Sequence, residues 1–189
     1  MTSRSSKARR PESSFDNCCL MFTLTTPTIE LEASYRSYID ELGDSERYPF
    51  TLDFEFDDFA TLVEQLHDYS KGIGVPEGWV PHTTFWLIED GEIVGVSSLR
   101  HRMTEKLKLA GGHIGFGVRP SAQGRGVAKE LLSQTLGKAA ELGITEALLI
   151  CLKENIASAR VIQANGGTLE SEYLVPEYAG LLQRYVIPI

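Results

Sequence analysis

The spacing of hydrophobic and polar positions changes repeatedly along this chain, and each change marks an element. Residues 21–25 read as a short strand. Over 29–42, Ile29, Leu31, Tyr35, Tyr38, Ile39 and Leu42 recur at helical spacing. A second helix is predicted over 58–70, where Asp57 can cap a run carrying Phe59, Leu62, Val63 and Leu66. Gly72, Gly74, Pro76, Gly78 and Pro81 mark a loop. Residues 83–89 and 92–100 then form a hairpin across Asp90-Gly91, a dipeptide suited to a tight two-residue turn. A polar connector over 101–110 leads to a third run, 112–119, in which Ile114, Phe116 and Val118 alternate.

Beyond this strand the spacing becomes helical again through Val127, Leu131, Leu132, Leu136 and Ala139, and Gly143 supplies a stop. Residues 147–152 are continuously apolar, the pattern of a strand buried in a sheet centre. A short helix over 156–164 ends at Asn165-Gly166-Gly167, and strands over 168–175 and 182–187 follow. The order β-α-α-β-β-β-α-β-α-β-β predicts an α/β (α+β) fold around a mixed sheet.

Composition narrows the function classes. With 189 residues, 42% of them hydrophobic, the chain can bury a substantial core, and 21–189 are expected to form one domain. No apolar run approaches the roughly 18–20 residues of a membrane span, so no membrane partner is expected. A net charge of −8 argues against nonspecific nucleic-acid binding. Residues 1–20 differ from the rest: Arg4, Lys7, Arg9 and Arg10 face only Glu12 and Asp16, Ser is abundant, and apolar periodicity is absent. They are predicted to be a disordered tail. Cys18 and Cys19 are adjacent and Cys151 sits in an apolar run, which fits neither a disulfide framework nor a metal site. A cytoplasmic setting without a bound metal is expected, with Cys151 as a small buried hydrophobe.

Residues 111–128 carry the most chemistry. A glycine-studded strand ends at Pro120, which has no N–H for a ladder, and Ser121 is a candidate cap for the helix that follows. Gln123-Gly124-Arg125-Gly126-Val127-Ala128 opens that helix with a bare, glycine-rich N-terminus. The first N–H groups of a helix have no internal partner, so such a junction can hold an anion. Gly124 and Gly126 leave the backbone open to phosphate oxygens. The Gly-Lys-Ser/Thr of a nucleotide triphosphate loop is missing.

Gln123, Gly126 and Ala128 fit the pattern Gln/Arg-x-x-Gly-x-Gly/Ala, which resembles the acyl-CoA pyrophosphate loop of the GNAT (GCN5-related N-acetyltransferase) superfamily. Leu99-Arg100-His101, Gly111-Gly112-His113-Ile114-Gly115, Val118-Arg119-Pro120-Ser121 and Asn155-Ile156-Ala157-Ser158 are similar to a group of predicted acetyltransferases within it. The resemblance implies the GNAT fold: a mostly antiparallel mixed sheet, helices on both faces, and two central parallel strands that splay to admit acyl-CoA. It implies that Gln123, Gly124, Arg125, Gly126, Val127 and Ala128 bind the pyrophosphate. Phe116, Gly117 and Val118 would pair with the pantetheine arm. Asn155 and Ser158 would also contact the cofactor, although Asn155 reads equally as a helix cap and Ser158 as a surface position. One departure matters. Many members place a Tyr seven residues after this Asn to protonate the leaving thiolate, and here that residue is Ile162. Tyr173, Tyr178 or Tyr185 could take its place, or water could.

Acyl transfer to an amine requires a neutral nitrogen. For a lysine-like amine this costs about 4–5 kcal/mol at pH 7, which a base or a water chain would supply. His113, His101, Glu89 and Glu172 are the candidates. His113 leads into the loop strand, but alternation turns it away from the face of Ile114, Phe116 and Val118. His67 and His82 are expected at the surface. Asp40, Glu41, Asp44, Glu46, Asp53, Glu55, Asp57 and Asp58 could form an acidic acceptor wall or simply be solvated faces and caps. Trp79 and Trp86 could line a pocket or pack in the core. The expected activity is transfer of an acetyl group from acetyl-CoA to a primary amine of a small molecule or peptide, by direct attack in a ternary complex. A homodimer is compatible with this reading. The alternative is a noncatalytic acyl-CoA-binding sensor or interaction module.

Overall fold

A computed structural model describes residues 22–189; the expected tail and Met21 lie outside the described residues. The strands are β1 (Thr23–Thr25), β2 (His82–Glu89), β3 (Glu92–Arg100), β4 (Ile114–Val118), β5 (Glu146–Leu152), β6 (Thr168–Leu174) and β7 (Leu181–Pro188). The helices are α1 (Glu32–Leu42), α2 (Phe59–Lys71), α3 (Glu105–Leu109), α4 (Val127–Glu141) and α5 (Ile156–Ala164). The element order matches the sequence pattern except for α3. That helix is five residues long, too short for an apolar stripe to register, and Thr104 caps it by accepting the Leu107 N–H at 3.2 Å.

The strands form two antiparallel sheets, β1-β2-β3-β4 and β5-β7-β6. At Asp90-Gly91 both residues have positive φ, 51° and 83°, the left-handed geometry a two-residue hairpin needs. Leu87 pairs with Gly95 while Ile88 pairs with Ile93, so Val94 is an extra residue, a β-bulge. The extra residue lets Ile93 and Val96, three positions apart, share one face, with Val94 on the other. Trp86, Ile93 and Val96 pack under α1 and α2 against Tyr35, Tyr38, Phe59 and Leu62. Leu87 and Val94 pack under α4 against Val127 and Leu131. Further along α4, Leu132 and Leu136 join Ala147, Leu149, Ile162 and Tyr185 of the second sheet and α5. One helix thereby spans the junction of both sheets.

Where the sheets meet, the His113 N–H just before β4 donates to the Leu148 carbonyl at 2.7 Å. Among the described residues no strand ladder continues from there, which leaves a gap in pairing between β4 and β5. Burial is less complete than the continuously apolar 147–152 run predicts: Leu148, Ile150, Cys151 and Leu152 of β5 are only half-buried, and among the described residues β5 has no ladder partner on the β4 side. Two capping expectations also change. Asp58, not Asp57, caps α2 and accepts the Thr61 N–H at 3.1 Å. Ser121 lies in a 3₁₀ turn, Pro120–Ala122, and α4 is preceded by Gly126.

Candidate functional site

The β4–α4 junction presents bare backbone. Gly124 and Gly126 adopt φ of 75° and 83°, and a Cβ at either would meet nothing within 4 Å. Glycine is required there by conformation, not by packing. Gly126 provides no side-chain cap to α4. Among the described residues, the N–H groups from Gly124 through Lys129 find no acceptor, and the ladder of α4 begins with Glu130 donating to Gly126. Converging N–H groups at the positive end of a 15-residue helix suit a phosphate-type anion.

The loop is pinned from outside by α1. Glu41 accepts from the Arg119 Nε and the Ser121 N–H, while Arg119 Nη2 donates to Ser37 Oγ at 2.7 Å. Burial opposes ionisation of Glu41, but these bonds prevail and hold its carboxyl below the usual range. Arg125 Nη2 pairs with the buried Glu89 at 2.7 Å. Glu89 is therefore an anchor for the loop.

Among the described residues, the β4 edge that faces this gap has no strand partner. Arg100 N–H donates to the His113 carbonyl and Arg119 N–H to the Val94 carbonyl, which fixes the phase of the β3–β4 ladder. Alternation in an antiparallel ladder then directs the peptide groups of Ile114, Phe116 and Val118 away from β3, toward the gap. Gly115 and Gly117 have a different reason to be glycine. A Cβ on Gly117 would lie 1.9 Å from the Tyr48 carbonyl oxygen. One on Gly115 would lie 3.0 Å from the Tyr48 hydroxyl oxygen and 3.4 Å from Pro49. The α1–α2 connection thus lies flat on β4.

That contact delivers a group the sequence did not single out. Tyr48 is 44% exposed, yet its hydroxyl turns inward against Gly115. Burial raises its pKa, with Arg100 acting in the opposite sense and Tyr178 and Cys151 also close enough to contribute. Like any phenol it is protonated at neutral pH and can donate. Cys151 on β5 is a thiol, its pKa pushed up to about 11 by burial. It is not an activated nucleophile.

The other candidates lie apart. His113 Nδ1 accepts the Leu148 N–H at 2.9 Å, which leaves the proton on Nε2 and the ring tied across the sheet junction. Burial lowers its pKa, as does Arg100. His101 Nε2 meets Thr83 Oγ1 at 2.8 Å at the far end of the β2–β3 hairpin. Tyr173 donates to the Leu109 carbonyl at 2.7 Å, beneath the Arg184 guanidinium. Glu172 is bound by Gln183 and Lys153, which lower its pKa and weaken it as a base. Asn155 caps α5 by accepting the Ser158 N–H at 3.0 Å, and among the described residues its side-chain amide and the Ser158 hydroxyl have no hydrogen-bond partner. Ile162 is buried in the core. His82 is also buried, contrary to the expected surface position, and Trp86 is a core residue. The acidic residues do not act as one wall: Glu41 holds the loop, Asp58 caps a helix and Asp53 borders a cavity.

Comparison with known proteins agrees with this architecture. Residues 42–168 match the family model described as an acetyltransferase (GNAT) domain. Among solved structures, the chain is similar to RimL, a ribosomal L7/L12 α-N-protein acetyltransferase in complex with coenzyme A. The TM-score is 0.67 at 18% identity, covering 89% of this chain and 94% of that one. It is similar to the microcin C7 self-immunity acetyltransferase MccE in complex with acetyl-CoA and AMP, with TM-score 0.64, 17% identity, and coverage of 89% and 92%. It also resembles YncA from Salmonella typhimurium with acetyl-CoA, with TM-score 0.59, 16% identity, and coverage of 88% and 93%. A comparison with curated protein sequences finds no match.

Proposed function

The chain belongs to the GNAT acetyltransferase family, and from that premise we propose that it transfers an acetyl group from acetyl-CoA to a primary amine of a small molecule or peptide, by direct attack in a ternary complex. The observation that carries the reading is the continuous run of unpaired N–H groups at 124–129, set directly beside the open β4–β5 gap. The pyrophosphate is held by the loop N–H groups from Gly124 to Lys129; the Gln123 N–H is already taken by the Pro120 carbonyl at 3.2 Å. The pantetheine arm pairs with the peptide groups of Phe116 and Val118, and a strand N–H stabilises the thioester oxyanion as the amine attacks. Tyr48 donates its proton to the departing thiolate, the role for which Ile162 is unsuited.

Asn155 has two separable roles in this reading. Asn155→Asp keeps an acceptor for the Ser158 N–H but removes the amide donor. It is expected to leave the unfolding midpoint nearly unchanged while weakening acetyl-CoA binding about tenfold, on the order of the 1–2 kcal/mol of one hydrogen bond. Asn155→Ala is expected to lose both, with about 1 kcal/mol of stability going with the cap. Equal acetyl-CoA affinity in wild type and Asn155→Asp, measured by calorimetry, would leave Asn155 as a cap alone.

The function is tested by incubating the full chain with acetyl-CoA and a panel of small amines, amino acids and peptides, and following thiol release. Turnover on at least one acceptor is expected. Acetyl-CoA binding without turnover on any class would favour the noncatalytic module.

A further inference from the structure

Beside the transfer gap lies a second feature, a cavity of about 420 Å³ between the α1–α2 connection, the start of β2 and the connector that holds α3. Its walls are Phe50, Phe54 and Trp79, with Phe50 and Trp79 packed edge to face at 5.1 Å. Arg100 enters this apolar space from the end of β3. Its guanidinium lies 5.3 Å from the centre of the Phe50 ring, and its Nη1 donates to the carbonyls of Gly111 and Gly112, both at 3.1 Å. Among the described residues no carboxylate pairs with it within 4 Å, and its Nε and Nη2 donate to none of them.

A cation sunk against aromatic rings without a counter-ion is unfavourable, because desolvation is not repaid by an opposite charge. Two remaining donors of a guanidinium form the planar fork that matches a carboxylate. The charges around the cavity agree. Lys106 adds a second cation and Asp53 a single anion at the exposed rim, while the pKa of His82, which also lines the cavity, is lowered chiefly by burial and in part by Arg100.

We propose that this cavity binds a small carboxylate with an aromatic or branched apolar body, the carboxylate on Arg100 and the body against Phe50, Phe54 and Trp79. The acceptor amine is then one that carries such a carboxylate, of the apolar amino-acid or short-peptide class. That last step rests on the function proposed above; the binding step does not.

The test titrates the full chain with phenylacetate and with phenylacetamide, which differ only in the anion. Binding is read by calorimetry and by the fluorescence of Trp79, the cavity tryptophan. Phenylacetate is expected to bind at least about tenfold more tightly than the amide, as expected for a charge pair in a desolvated site. Arg100→Met is expected to abolish that preference, and Ala110→Phe, which fills the cavity and leaves Arg100 in place, to abolish binding of both probes. Acetyl-CoA affinity, measured in parallel, is expected to be unchanged in both variants. Should Arg100→Met fail to fold, Ala110→Phe decides alone. Equal binding of acid and amide, no saturable binding of phenylacetate, or undiminished binding in Ala110→Phe would each overturn the carboxylate site. Loss of acetyl-CoA binding by the wild type would instead count against the family function, without touching the cavity.

Discussion

Gly126→Asp is expected to weaken acetyl-CoA binding by at least about 100-fold, close to 3 kcal/mol, while the protein still folds. The position has φ of 83° and open space around its missing Cβ. Aspartate and asparagine tolerate left-handed backbone better than other side chains, so strain costs only roughly 1 kcal/mol. The rest of the loss comes from charge. A carboxylate at this site faces the N–H groups of 127–129, competes with the phosphates for them, and repels the pyrophosphate at short range. Gly126→Asn separates the causes, having the same shape and similar backbone strain without the charge. It is expected to lose about tenfold, the share due to strain and steric obstruction. Calorimetry with acetyl-CoA, alongside circular dichroism to confirm folding, gives the comparison. Equal losses for Asp and Asn would contradict an electrostatic anion site, and no loss for either would remove the loop from cofactor binding.

The backbone of this site was legible in the sequence because its information is local. Gly124 and Gly126 need positive φ, Pro120 ends a strand, and helical spacing resumes at Val127, all within a dozen residues. The anion-binding junction follows from those facts alone. Its supports were not legible, because they come from distant segments. Gly115 and Gly117 could be seen as unusual in a strand, but their reason is the approach of Tyr48 and Pro49, which enter from the α1–α2 connection. Glu41 looked like one acid among many until the fold placed it on Arg119 and Ser121. Histidine contacts were equally hidden. His113 leads into the loop strand, and only the fold shows that its Nδ1 accepts the Leu148 N–H across the sheet junction. His82 sits at a strand start that reads as exposed, and only the packing of Phe50, Tyr69 and Trp79 around it makes it a core residue.

Tyr48→Phe is expected to lower kcat by about 100-fold, the lower end of what a positioned general acid contributes. The loss concerns one proton. When the tetrahedral intermediate collapses, the carbon–sulfur bond breaks and a thiolate leaves, and a donor within reach lowers that barrier. The inward-turned Tyr48 hydroxyl can supply the proton, because a phenol is protonated throughout the neutral range and burial shifts its pKa further upward. Its hydroxyl lies against Gly115, on the strand whose alternate peptide groups face the gap, and the expected effect rests on that position. Phenylalanine preserves the ring on Pro49 and β4, so the fold and acetyl-CoA affinity are expected to remain within about twofold of wild type. Tyr178→Phe is the control: Tyr178 also lies close enough to Arg100 to interact with its charge, but is expected to change kcat by less than about threefold. The measurement is steady-state thiol release on whichever acceptor is turned over, with acetyl-CoA affinity determined separately. A small effect of Tyr48→Phe together with a large one for Tyr178→Phe would move the donor to the β6–β7 connection. Small effects for both would leave water to protonate the thiolate, and would make Tyr48 a residue that only packs the α1–α2 connection onto β4.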